Sequence, residues 1–308
     1  MKPFIRATEI WLPTQDHTLL EFGGGLFGPA LDFAATSSGM CFGRAEGLPG
    51  QAWDVAHPVL LKQFEAAQFQ RTAAAKLAGL TCAVAIPFFL DDQLTAVLVF
   101  FGGEDDASAG AIELWRNDPR ITSDMTLADG YYGGTPEGFE ALSRETFLPR
   151  GTGLPGLAWQ REEAVVMADL GPQSRFLRGD AASDAGIERG LALPCCSQTQ
   201  ASYVLTLLSG KEAPIARRIE RWIPDASRQS LTLAGGYDEQ GQALAPDSAT
   251  LALSATVADH HIPLQQAFLS GAPALHAGQA SGTDRGHDVV AVPVIADGQV
   301  TEVVSLSF

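Results

Sequence analysis

Phe69-Gln70-Arg71-Thr72-Ala73-Ala74-Ala75-Lys76-Leu77-Ala78-Gly79 and Phe176-Leu177-Arg178-Gly179-Asp180-Ala181-Ala182-Ser183-Asp184-Ala185-Gly186 decide the fold. They share Phe, Arg, three alanines and a closing glycine at a constant separation of 107 residues, too long a match for chance. A period of this size has to be settled before any element is assigned, because missing it misplaces every later one. Working outward, Gly47-Leu48-Pro49-Gly50 with Ala52-Trp53 returns as Gly153-Leu154-Pro155-Gly156 with Ala158-Trp159, and a third occurrence keeps only Gln266-Ala267-Phe268. Upstream, Glu9-Ile10-Trp11 returns as Glu113-Leu114-Trp115 and as Glu220-Arg221-Trp222. Downstream, Ile86-Pro87, Leu193-Pro194 and Val292-Pro293 each lie in an apolar run that is followed by a polar turn and a second apolar run. The chain therefore reads as three tandem units, residues 1–103, 104–210 and 211–308.

Within a unit, the alanine-rich stretch from Phe69 predicts a short helix closed by Gly79, the residue type that tolerates a left-handed helix cap. Leu80 to Leu90 and Leu94 to Phe101 flank Asp91-Asp92-Gln93 and predict a hairpin; Val289 to Ile295 and Val300 to Ser307 do the same around Asp297-Gly298. Pro87 points to an edge or a bulge, since proline cannot donate to a ladder. The strands around Trp11 and Phe22 predict another hairpin. Each unit is then an antiparallel sheet with flanking helices, an α+β arrangement.

Composition bounds the function. Of 308 residues, 46% are hydrophobic and 18% charged, which suits globular cores. Twenty basic against 36 acidic side chains give a net charge of −16, a field that repels phosphate backbones and anionic lipid, so neither nucleic acid nor membrane is expected as a partner. No apolar run approaches a bilayer-spanning length, and the opening residues lack a basic stretch followed by an apolar one. Cys41, Cys82, Cys195 and Cys196 form no disulfide framework in a chain of this length, and the adjacent pair suits a reducing compartment; a cytoplasmic location is expected.

The Gly-Leu-Pro-Gly-x-Ala-Trp segment, the Phe-x-Arg helix and the x-Pro hairpin resemble the GAF domains of sensor histidine kinases and related regulators. Units 1 and 2 match along most of their length. Unit 3 matches only in its first strand, its Gln-Ala-Phe segment and its closing hairpin; Gly278-Gln279-Ala280-Ser281-Gly282 stands where the motif helix was, so it resembles a degenerate copy. The resemblance implies a pocket between the sheet and the motif-bearing loops and helix, used in that family for small molecules.

On that implication the ligand-binding candidates are Trp53, Arg71, Trp159, Arg178 and Cys195. Against it, Trp53 and Trp159 suit core packing. Arg71 and Arg178 suit a structural bond to a carbonyl or to an acid such as Glu46, although a guanidinium also forks onto carboxylate or phosphate ligands. Cys195 and Cys196 align with Phe88 and Phe89, which favours a core role, and no basic neighbour is at hand to activate a thiol. Free methionine sulfoxide reductases have a GAF-like fold with several cysteines, but their motif is not seen here. No Cys precedes His, as tetrapyrrole attachment in phytochrome-like domains requires. Asp259-His260-His261 and His287-Asp288 could converge on a metal, but without a helical i, i+4 pair solvated loop histidines are the simpler reading. No metal or cofactor is assigned.

The function expected is therefore a non-catalytic regulatory or small-ligand-sensing protein of the GAF type. Its ligand is expected in units 1 and 2, unit 3 is expected to be structural, and output is expected through a protein partner, since no effector segment fits between the units. A ligand-free scaffold for protein contacts and, third, a thiol-based reductase are the alternatives.

Overall fold

The computed structural model describes residues 3–308 except 65–68, 104–108, 173, 175, 255, 279, 282–283 and 286; at 280, 281, 284 and 285 it describes the backbone alone. The first unit contains β1 (Ile5–Pro13), β2 (Leu19–Leu26), α1 (Leu31–Ser38), β3 (Cys41–Gly43), α2 (Gly47–Val55), β4 (Val59–Lys62), α3 (Thr72–Leu77), β5 (Cys82–Leu90) and β6 (Gln93–Gly102). The second repeats it with β7 (Ala109–Asn117), β8 (Met125–Gly133), α4 (Glu137–Glu145), β9 (Phe147–Leu148), α5 (Gly153–Arg161), β10 (Val165–Met167), α6 (Gly179–Asp184), β11 (Arg189–Cys195) and β12 (Ser202–Ser209). The third has β13 (Arg218–Pro224), β14 (Ser230–Tyr237), β15 (Thr250–Ala252), α7 (Ile262–Ser270), β16 (Ala274–His276), a small separate pair β17 (Ala280–Ser281) and β18 (Asp284–Arg285), β19 (Val289–Ala296) and β20 (Gln299–Ser307).

Each unit is built on one six-stranded antiparallel sheet, and the three strand orders are the same: β3-β2-β1-β6-β5-β4, β9-β8-β7-β12-β11-β10 and β15-β14-β13-β20-β19-β16. Even the irregularities repeat, with the pairing of the first two strands slipping at Ile10/Trp11, Leu114/Trp115 and Arg221/Trp222. The chain is an α+β protein of three tandem GAF-like units. Short helices close as the glycines require: Gly79 and Gly186 take φ of +68° and +72°, and Leu80 and Ile187 donate their N–H back to Ala75 and Ala182. Pro87 lies on an interior strand, but β4 pairs only with Cys82 to Ala85, so the ladder has ended before the proline.

The units differ in their helical layer. The third lacks counterparts of α1 and α3 among its described residues: β14 runs to β15 through residues 238–249 without a helix, and α7 corresponds to α2 and α5. The expected replacement of the motif helix at Gly278 to Gly282 lies partly outside the described residues.

Both faces of each sheet are covered. One face meets the unit's own helices, where Trp11, Val97, Val99 and Phe101 pack in unit 1 and Trp115, Val204 and Leu208 in unit 2. The opposite face joins a core common to all three units: Ile10, Leu98 and Phe100, Ile112, Leu205 and Leu207, and Ile219, Val304 and Leu306 belong to one buried cluster. Leu60, Val166 and Leu275, at matching positions of β4, β10 and β16, pack against it together. This explains why the closing strands are apolar without alternation: an antiparallel sheet covered on both faces has no solvated side to mark.

Candidate functional site

A buried ion pair is at the centre of the helical layer in each of units 1 and 2. Glu9 on β1 points into the helical layer, where it accepts Trp11 Nε1–H at 3.0 Å and Arg71 Nη2 at 3.0 Å. Arg71 Nη1 donates to Glu9 Oε1 and to Ser37 Oγ. Ser37 passes the chain on to the Phe33 carbonyl at 2.7 Å. The guanidinium lies 4.7 Å from the Phe33 ring centroid and 5.0 Å from that of Phe69, so its faces are covered as its edges are bonded.

Unit 2 repeats the arrangement with Glu113, Trp115, Arg178 and Ser143. Arg178 reaches the two carboxylate oxygens at 2.5 and 2.8 Å and also donates to Ser143 Oγ; Tyr132 Oη adds a bond of 2.9 Å to Glu113. Burial pushes the Glu113 carboxyl up, but the Arg178 charge and the bonds from Arg178, Trp115 and Tyr132 outweigh it and hold the group below its ordinary value. Glu113 is thus an ionised partner fixed from several directions.

Both arginines are therefore interior struts bonded to a strand acid 62 and 65 residues away. Glu46, the acid that sequence proximity suggested, accepts instead from the Gly43 N–H at 2.9 Å. Trp53 and Trp159 are half-buried and pack against the helical-layer cores of units 1 and 2, the latter under the Arg150 guanidinium at 5.3 Å. Cys195 packs beside Leu114 and Tyr203 on the sheet face opposite the helices, and burial pushes its thiol up to about 12; burial also raises that of Cys196. The structure thus brings Arg71 and Arg178 to equivalent places, packs the two tryptophans against the cores around them, and puts Cys195 on the far face.

A second repeated signal stood unread in the sequence. Phe33-x-Ala35-x-Ser37 recurs as Phe139-x-Ala141-x-Ser143, and it supplies both the ring and the hydroxyl that hold each arginine.

The third unit keeps Glu220 and Trp222, with the indole donating to the carboxylate at 3.2 Å, but has neither the Phe-x-Arg helix nor the Phe-x-Ala-x-Ser helix. A cavity of about 900 Å³ opens there, in the unit expected to be structural. Its floor comes from the sheet: Arg218, Glu220 and Trp222 of β13, Val289 of β19, and Ser305 and Ser307 of β20. Leu233 and Leu244 add apolar wall, and His260, His261, His276 and His287 stand around it. His260 and His261 lie 4.1 Å apart between ring centroids, and His261 meets Trp222 edge to face at 5.8 Å. Burial, and after it the charge of His260, depress His261 below the ordinary histidine value, so the ring is neutral at neutral pH. Of the residues named from sequence, Asp259, His260, His261 and His287 line this cavity and Asp288 lines another, and among the described residues no three His, Cys, Asp or Glu side chains group as a metal would require.

Register relates this floor to the filled units. Arg218 occupies the position of Ala7 and Ala111, Ser305 that of Val99 and Thr206, and Ser307 that of Phe101 and Leu208. Of two smaller cavities, one of about 630 Å³ lies between units 1 and 2 at Lys62, Lys76, Tyr131 and Glu140, and one of about 360 Å³ is lined mostly by unit 1, at Ala7, Leu26, Phe27, Ala30 and Leu80, with Arg217 and Phe308 of unit 3 at its side. Among the described residues, no helix is long and apolar enough to cross a membrane.

No protein-family model matches the chain, and neither does any curated protein. Similar solved structures include the GAF domain/HD domain protein from Geobacter sulfurreducens (18% identity, 34% of this chain and 65% of that chain, TM-score 0.27). Another is the GAF domain of a phosphoenolpyruvate-protein phosphotransferase from Coxiella burnetii (20% identity, 33% and 56%, TM-score 0.25). A third is free methionine-R-sulfoxide reductase from Neisseria meningitidis in complex with its substrate (18% identity, 32% and 50%, TM-score 0.24), so the chain spans half of that protein's length. The shared sheet order and the repeated motifs make this chain three tandem units of one α+β fold, and solved GAF domains are among the structures it is similar to.

Proposed function

We propose that the chain is a non-catalytic regulatory or small-ligand-sensing protein in which the third unit receives the ligand and the first two are its rigid support. The observation that carries this reading is the contrast at one position of the repeat. Glu9 and Glu113 are sealed under an arginine, a serine and aromatic rings, whereas Glu220 borders a cavity of about 900 Å³, within the size range of small-molecule sites. Binding there is coupled to the rest of the chain because β13 has two working faces. Arg218, Glu220 and Trp222 face the cavity, while Arg221 between them bonds Glu302 and reaches Glu163 of unit 2 at 3.2 Å. A ligand that shifts β13 moves this contact between units, and a protein partner reading the seam would receive the signal. The raised thiol values of Cys195 and Cys196 favour the non-catalytic reading over thiol chemistry, since a neutral buried thiol is a poor nucleophile.

The test is native mass spectrometry of freshly purified protein alongside the Ser307→Phe variant, which puts the unit 1 aromatic back into the cavity floor. A co-purified small molecule present in the parent and absent from the variant is the expected result. A parent that carries no small molecule, with no exogenous ligand found by a metabolite screen, leaves the chain a scaffold and sinks the reading.

A further inference from the structure

Two of the three floor positions that distinguish the open unit change from apolar to polar against both filled units. Alanine becomes Arg218, Val99 or Thr206 becomes Ser305, and Phe101 or Leu208 becomes Ser307. The carboxylate beside them, by contrast, is inherited: Glu220 stands where Glu9 and Glu113 do, and it is already engaged by the Trp222 indole and by Arg218 Nε at 2.7 Å. What the third unit has gained on its floor against both filled units is thus a guanidinium and the Ser307 hydroxyl, while Ser305 keeps the hydroxyl that Thr206 carries in unit 2.

The guanidinium is held but not used up. Its Nε bond to Glu220 fixes the plane of the group, and Nη1 is 3.8 Å from the nearest Glu239 oxygen, beyond hydrogen-bond reach. An arginine oriented through one nitrogen and open at the others suits a planar oxyanion, which it can take through two parallel N–H bonds. Ser307 pairs directly with Arg218 across the ladder, and Ser305 pairs with Glu220, so both hydroxyls lie on the same patch of floor. Asp259 is at the exposed rim, Glu239 shares the Arg218 guanidinium with Glu220, its Oε2 3.8 Å from Nη1, and Leu244 offers half-buried apolar surface for the body of a ligand.

We infer that the third-unit cavity binds a small organic acid, with its carboxylate on Arg218, Ser305 and Ser307 and its apolar body against Leu244. The inference rests on the reading that this cavity is the ligand site, and goes beyond it in naming the ligand's chemical class. Arg218 is the residue that recognises the head group; the serines add polar contacts, Ser307 at the cost of the apolar packing its counterparts provide.

A matched set of probes separates charge from shape: 3-phenylpropionate, 3-phenylpropionamide and 3-phenylpropylamine share one body and carry an anionic, a neutral and a cationic head. Titrated calorimetrically into the full chain, the carboxylate is expected to bind at least about tenfold more tightly than either of the others. Arg218→Met and the double variant Ser305→Val/Ser307→Leu are each expected to lose that preference while melting within a few degrees of the parent. The amide or the amine binding as well as the acid, with Ser307→Phe abolishing it, overturns the acid class and leaves the cavity a ligand site. Unchanged carboxylate affinity in a folded Arg218→Met protein also overturns the inference. Failure of all three probes to bind in the millimolar range overturns it as well; the co-purification result then decides separately whether the cavity is a ligand site at all.

Discussion

Glu113 and Glu220 occupy the same position of the same repeat, each with a tryptophan two residues on, yet one is a structural anchor and the other borders a cavity. The difference comes from elements that are 20 to 70 residues away in the chain. In unit 2, α4 brings Ser143 and Phe139, and the approach to α6 brings Arg178, so the carboxylate is covered and its charge is compensated. In unit 3 neither helix has a counterpart among the described residues, and the only arginine on the acid comes from its own strand. A buried acid in this fold therefore calls for a buried partner, and a unit that drops the partner has to leave the acid accessible to solvent or ligand.

The strongest way to break the comparison is to remove the open unit entirely. If unit 3 were an appendage, deleting it would leave units 1 and 2 intact. The common core says otherwise, because Ile215, Ile219, Val292, Val304 and Leu306 pack with Ile10, Leu98, Leu205 and Leu207. A chain ending near residue 210 would expose this apolar face, and patches of that kind drive association. It is expected to aggregate or to lose its sharp melting transition, as read by light scattering and circular dichroism. A monodisperse truncated protein with a parent-like transition would show the units to be independent.

Next in size is the ion pair of a filled unit. Arg178→Met strands Glu113 in an interior without water, and breaking such a pair costs about 3–5 kcal/mol. Adding Glu113→Gln to it should return much of that loss, because Gln carries no charge, its one amide oxygen can still accept from the Trp115 indole, and its NH2 can donate to the Tyr132 hydroxyl. Urea unfolding of the parent, single and double variants measures both effects. A single variant as stable as the parent would refute the strut and return Arg178 to the role of a ligand arginine.

The same pair sets a pH dependence with a definite sign. The folded value of Glu113 is depressed, so its contribution is fully present above the ordinary glutamate value of 4.5 and is lost as pH falls through the lower folded value. Glu302, at the seam between units 2 and 3, shows the opposite. Burial raises its carboxyl despite Arg221 and the Ala164 N–H, so its ionisation weakens the fold as pH rises from 4.5 upward. Stability measured from pH 3 upward is expected to gain less through the acid range in the Glu113→Gln/Arg178→Met protein than in the parent. Equal acid slopes in the two proteins would mean that Glu113 is not held as an ion.

Much of this was legible in the residues, and the gaps have physical causes. The constant offset between Phe69 and Phe176 located the repeat, and the Trp11, Trp115 and Trp222 series located the first strands. The offset could not say which acid meets Arg71, because a repeat preserves both partners at once and gives no distance between them. Nearness in sequence suggested Glu46, whereas the fold joins β1 to the residue before α3 and so selects Glu9. The common core was marked by the unbroken apolar runs of β5 and β6, which one covered face cannot explain. The cavity was hardest to foresee because it is made by missing side chains; its trace is Arg218 where Ala7 and Ala111 stand, and Ser305 and Ser307 in a strand where Val99 and Phe101 set the pattern.

The smallest expected effect sharpens the comparison most, because it applies one substitution to both kinds of unit. Arg218→Met removes the arginine from Glu220 just as Arg178→Met removes it from Glu113. The Arg218 side chain is 31% exposed and that of Glu220 12%, against 4% and 0% for Arg178 and Glu113. Glu220 also has open volume before it, so water can replace the lost partner, and partly exposed pairs are worth about 0–1 kcal/mol. Arg218→Met is therefore expected to cost no more than about 1 kcal/mol in the same urea measurement, leaving a folded protein in which the binding experiment can be read. A loss as large as that of Arg178→Met would mean that the third unit seals its acid as the others do, and that the space before Glu220 is closed in solution.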